Sequence, residues 1–121
     1  MQNAANAYAK VSNQTAKPRE LEASLLLKAA SRLQAVKDGW DGNRAKLDEA
    51  LLYNRKLWTI FLSSVASADN PLPRETRQNV ANLGLFIMNH TISATAERRP
   101  EQLTSLISIN RELAAGLMAQ S

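Results

Sequence analysis

Ala50-Leu51-Leu52-Tyr53-Asn54-Arg55-Lys56-Leu57-Trp58-Thr59-Ile60-Phe61 is the most apolar and most aromatic stretch of the chain. Extended to both sides, it repeats at alternating three- and four-residue steps: Leu47, Leu51, Asn54, Trp58, Phe61 with Leu62, and Val65. That spacing places these residues on one face of an α-helix. Ala50, Tyr53, Leu57 and Ile60 widen the stripe and leave only Asp48, Arg55, Lys56 and Thr59 opposite it. A helix this apolar needs cover on most sides, so the sequence predicts an all-α bundle packed around it, with cover from other helices of the chain or from a partner.

Working outward, Trp40-Asp41-Gly42-Asn43 reads as a turn: Gly42 can take positive φ, and Asn43 or Asp41 can cap the central helix. The helix before it is predicted over about residues 18–38, in a tight antiparallel hairpin with the central one. Pro18 suits its first turn, Glu20 and Glu22 suit the positive end of its dipole, and its stripe is Leu21, Leu25, Ala29, Leu33, Val36 and Trp40, broadened by Leu26 and Ala30. Residues 3–14 form a further short, alanine-rich helical pattern with Ala4, Ala7, Tyr8 and Val11 on one side. On the other flank, Asn70-Pro71-Leu72-Pro73 forbids helical continuation and makes a rigid corner that aims Leu72 into the core.

A helix over about 74–96 follows, with Val80, Leu83, Ile87, Thr91 and Ala94 on its stripe. Gly84 lies on the same stripe, where a helix-interior glycine implies close approach of another helix. Arg99-Pro100-Glu101 then starts a last helix carrying Leu103, Leu106, Ile107, Asn110, Leu113 and Leu117, ending near Ala119. As a terminal amphipathic element, this one is expected to be detachable from the bundle. The whole chain, 1–121, has no internal repeat and reads as one domain of about five helices.

Composition narrows the function. Fifteen Lys and Arg against eleven Asp and Glu give a net charge of +4, enough for weak attraction to an anionic partner. No dense basic run exists, and basic and aromatic residues do not interleave as in single-strand binders, so direct nucleic-acid binding is not expected. There is no cysteine and one histidine, His90. Thiolate metal sites are therefore excluded, a reducing cytoplasm is suited, and no cofactor is predicted. No phosphate-binding loop or nucleophile elbow is present, which argues against an enzyme. No segment approaches the ~20 apolar residues of a membrane span, and no targeting signal is legible.

Four residues stand out as candidate partner contacts: Tyr53, Asn54, Trp58 and Phe86. Asn54 interrupts an apolar stripe, and is either a hydrogen-bonded core amide or an amide presented to a partner. Trp58 is either core or an interface anchor. Phe86 lies off its helix's stripe among Asn79, Asn82 and Asn89, and either contacts a partner or is covered by the last helix. Tyr53, Trp58 and Phe86 are the expected borders of an apolar groove along the central helix, covered in the free protein by a terminal helix.

The chain also resembles the FlaF family of flagellar biosynthesis regulators. The resemblance rests on Ala7-Tyr8, Pro18-Arg19-Glu20-Leu21-Glu22-Ala23 with Leu25-Leu26-Leu27-Lys28-Ala29-Ala30, and Ala50-Leu51 through Asn54-Arg55-Lys56-Leu57-Trp58 to Phe61. It continues through Asn70-Pro71-Leu72-Pro73, Arg77-Gln78-Asn79, Leu83-Gly84-Leu85-Phe86 and Ile109-Asn110-Arg111-Glu112-Leu113. It implies a small, non-enzymatic cytoplasmic protein of alphaproteobacterial type that binds flagellin and promotes its synthesis or secretion, as chaperone or adaptor. It further implies action together with FlbT, which works on flagellin mRNA in the opposite direction. The alternative is a regulator that binds the flagellin message itself.

Overall fold

The computed structural model describes residues 18–119, and these are helical apart from the connections. Four α-helices follow in order: α1 (Pro18–Asp38), α2 (Arg44–Ala66), α3 (Arg74–Glu97) and α4 (Leu103–Ala119), the last preceded by a 3₁₀ turn at Pro100–Gln102. The all-α expectation holds, with four α-helices in place of about five. The helical pattern read over 3–14 lies outside the described residues.

Each connection is built from the residues that its sequence advertised. Asn43 caps α2, its side-chain oxygen accepting from the Lys46 backbone N–H at 3.2 Å. Asp41 accepts in turn from the Asn43 N–H at 2.9 Å, and Gly42 sits at φ 82°. At the next corner, Asn70 accepts from the Leu72 N–H and donates to Ser64 Oγ, so the loop is fixed while Leu72 is buried. The Arg77 guanidinium reaches back from α3 to donate to the carbonyls of Val65 and Ser67, each at 2.9 Å, satisfying acceptors that the end of α2 leaves open. Arg98 ends α3 in the left-handed region, at φ 52° and ψ 48°, and its side chain pairs with Asp48 at the start of α2.

These ties make α2 and α3 antiparallel. The α1–α2 hairpin is antiparallel as well, and so are α1 and α4, because Gln34 and Lys37 near the end of α1 share a surface recess with Thr104 and Ser108 near the start of α4. The α1–α4 pair is the most extensive packing in the molecule, followed by α2–α3 and α1–α2, whereas α3 and α4 touch little. Ala23 and Ala30 from α1 and Ala114 from α4, all buried, leave room for such close approach.

The last helix docks on its own bundle, α4 burying Leu103, Leu106, Ile107, Asn110, Ala114 and Leu117 in the common core. Two sequence expectations change here. The buried face of α1 is shifted from the centre of the predicted stripe: Ala29 and Leu33 from it, and Leu26 and Ala30 that broaden it, are fully buried together with Ala23, while Leu25, Val36 and Trp40 are only partly so and Leu21 lies at the edge. The reason is that α1 packs on α4 as well as on α2, which pulls its centre toward the alanine side. Finally, Ile60 is not part of the covered stripe on α2; it is 65% exposed.

Candidate functional site

The four candidate contacts do not share one surface. Asn54 and Trp58 are completely buried, so the folded bundle presents neither to a partner. They are joined through Asn110 of α4. The Trp58 indole Nε1–H donates to Asn110 Oδ1 at 2.9 Å, and Asn110 Nδ2 donates to Asn54 Oδ1 at 2.7 Å. An indole can only donate, which fixes the orientation of the Asn110 amide, and that amide fixes Asn54 in turn. Asn54 Nδ2 is left buried without a hydrogen-bond partner. Asn54 is thus the core amide of the two readings, pinning α2 against α4 across the bundle. Asn110 is the member that sequence reasoning missed, although its signal was the same as that of Asn54: a lone amide on an apolar stripe.

Tyr53 is half-buried on the outer side of the α1–α2 hairpin, with the Arg32 guanidinium 4.2 Å above its ring. One turn toward the hairpin's tip lies an open cleft of about 540 Å³. Val36 and Trp40, which are partly buried, and Ala35 and Ala50 give it an apolar floor, while Arg32, Lys46, Asp41 and Glu49 stand at its rim. Lys46 and Asp41 form an exposed pair at 3.7 Å, which contributes little to stability.

Phe86 is 46% exposed, so α4 does not cover it. Its ring stacks on the His90 imidazole with centroids 5.3 Å apart. His90 Nε2 lies 2.7 Å from the Gln102 carbonyl and 3.2 Å from Ser105 Oγ. Facing a carbonyl at that distance, Nε2 must carry the proton, and it is then unable to accept one from Ser105. The pair is therefore a structural tie between α3 and α4 rather than a nucleophile with its base.

Nearby, Glu97 accepts from Ser93, Gln102 and Arg99. The Ser93 hydroxyl, then the Arg99 charge and the Gln102 amide, hold its carboxyl below the ordinary range. Among the described residues no group of three His, Asp or Glu side chains could hold a metal ion, and no helix is long and apolar enough to cross a membrane. Apolar side chains that face solvent include Leu85 and Ile92 on α3, Leu52 and Ile60 on α2 and Leu27 on α1.

A bundle of four α-helices with a core pinned by buried amides, an open hairpin cleft and outward apolar side chains places the described residues in the all-α class. The family model described as "Flagellar protein FlaF" matches residues 4–117, nearly the whole chain, and the chain belongs to that family. No curated protein and no solved structure matches it.

Proposed function

We propose that this chain is a non-catalytic adaptor or chaperone that acts in the cytoplasm, binds flagellin, and promotes its synthesis or secretion together with FlbT. The observation that carries this reading is membership of the flagellar FlaF family over residues 4–117. The architecture supports it in two ways. The Trp58 indole, the Asn110 amide and the Asn54 carbonyl are spent on one another across the interior, which suits a pinned scaffold better than a catalytic seat. The outer faces instead carry exposed large apolar side chains, the material of protein recognition.

Isothermal titration of the full chain with purified, monomeric flagellin tests the reading, with a flagellin-message leader RNA and FlbT titrated in parallel. Saturable flagellin binding, with no preference for the leader over an unrelated RNA, is expected. Specific, salt-resistant RNA binding without flagellin binding would replace this reading by that of a message-binding regulator.

A further inference from the structure

We infer that the outer face of the α1–α2 hairpin is the flagellin-docking surface, and that its occupant is an acidic amphipathic helix whose apolar side enters the cleft at Val36 and Trp40. The assignment rests on the flagellin-binding reading above and gives it a location.

The first observation is shape. The cleft of about 540 Å³ is apolar at its floor and open to solvent. It does not stand alone. Leu25 lies seven residues before Arg32 and Ile60 seven after Tyr53, each about two helical turns further along the same face of its own helix, away from the hairpin's tip. Leu25 is half-buried and Ile60 is 65% exposed. An apolar line therefore runs from the cleft along the hairpin for about two helical turns beyond Tyr53, a length of about 10 Å. Including the cleft, that line suits one face of a short helix, which presents apolar anchors at i, i+3 or i+4, and i+7.

The second observation is charge, which selects among occupants. Lys28, Arg32 and Lys56 flank this line, and no carboxylate lies within ion-pair distance of any of them among the described residues. At the cleft rim Lys46 is paired with Asp41, and Glu49 is the other carboxylate there, so the cations without an ion pair run from Arg32 at the rim along the line beyond it. Arg32 is also pre-positioned: its guanidinium lies over the Tyr53 ring, so the fork is held before a partner carboxylate arrives and less side-chain freedom is lost on binding. An incoming helix with carboxylates beside its apolar stripe satisfies both the line and its cationic borders, and Tyr53 becomes a positioning residue for Arg32.

The test compares flagellin affinity of the wild-type chain with three variants altered at exposed positions. These are Arg32→Glu with Lys56→Glu, Ile60→Glu, and the control Ile92→Ser, which lies on α3, outside the hairpin, and is 69% exposed. Circular dichroism and thermal melts check that each is folded. The expected result is a loss of at least about tenfold in affinity for the first two, with the control unchanged. Salt should weaken the wild-type complex, and the charge-reversed double variant should lose that salt dependence.

Flagellin binding by the wild type with equal affinity in all variants would overturn the location and leave the function standing. No flagellin binding by the wild type would remove the function and this assignment with it. Selective binding of leader RNA to the same face, abolished by Arg32→Glu with Lys56→Glu in the absence of flagellin binding, would overturn the assignment in favour of an RNA surface. Sedimentation showing a wild-type dimer that Ile60→Glu dissociates would assign the face to a second copy of the chain.

Discussion

Asn110 carries more of the interior's specificity than its size suggests, because two buried groups depend on it. Replacing it with alanine leaves the Trp58 indole N–H and the Asn54 carbonyl buried without partners. An orphaned buried polar group costs about 1–3 kcal/mol, so Asn110→Ala should lower stability by roughly 2–5 kcal/mol in urea denaturation. Asn54→Leu should cost clearly less, since it abandons one bond but also removes the Nδ2 that already lacks a partner. Equal losses would mean that the amide chain is not what holds α4 in register. Gly84 gives a second test at this scale. A Cβ built there would overlap the Leu62 side chain, so Gly84→Ala sets a clash against an intrinsic helix gain of about 1 kcal/mol. With Leu62 already cut to alanine the clash is gone. A double-mutant cycle should therefore show Gly84→Ala more favourable beside Leu62→Ala than in the wild type, and simple additivity would refute the close approach.

Among the elements, α2 and α3 were largely legible in the sequence, while for α1 the span and half of the buried face were legible and the centre of that face was not, for a physical reason. Periodicity locates an apolar stripe but not the neighbour that will claim its edges. On α3 the stripe from Val80 to Ala94 and the buried face coincide, because the burial is dominated by α2. On α1 the pattern put Leu21 and Leu25 at the centre and Leu26 and Ala30 at the side, and the centre was moved toward Leu26, Ala30 and Ala23 by α4, which alanines let approach closely. The same ambiguity hid the hairpin cleft, since Trp40 and Val36 look like core in a linear reading and are only partly covered in the fold.

Packing on two sides has a consequence for Glu22, half-buried near the start of α1. Burial raises its carboxyl above the ordinary value, and the Arg19 charge offsets this only in part. A raised carboxyl in the folded state means that the ionised form opposes folding; the cost is full above the raised value and fades as pH falls toward the ordinary carboxylate range. Glu22→Gln should therefore be more stable than wild type at pH 7, with the gain shrinking as acid is added. Urea titrations at several pH values read this directly, and a gain that grows on acidification would contradict it. Glu97, whose carboxyl is lowered, contributes with the opposite sign: its contribution is present above the ordinary value and lost as pH falls through the lowered one.

At the scale of the whole molecule, the all-α fold and the family were within reach of the sequence, while which of the candidate contacts lie at the surface was not. Two of the four residues chosen for contact, Asn54 and Trp58, are interior, because the features that make a side chain a good anchor, large area and a polar tip, also make it a good core pin. Phe86 and Tyr53 remain at the surface on different parts of the bundle. In the free chain the hairpin cleft is open while α4 is packed in the core, so the proposed docking requires no cover to leave.

Amide hydrogen exchange of the full chain, with and without monomeric flagellin, puts that claim to the most direct test. Docking on the closed bundle predicts slower exchange in the α1 and α2 segments around residues 25–36 and 46–60, with α4 amides as protected in the complex as in the free chain. Unchanged exchange throughout, or faster exchange in α4 on adding flagellin, would contradict it.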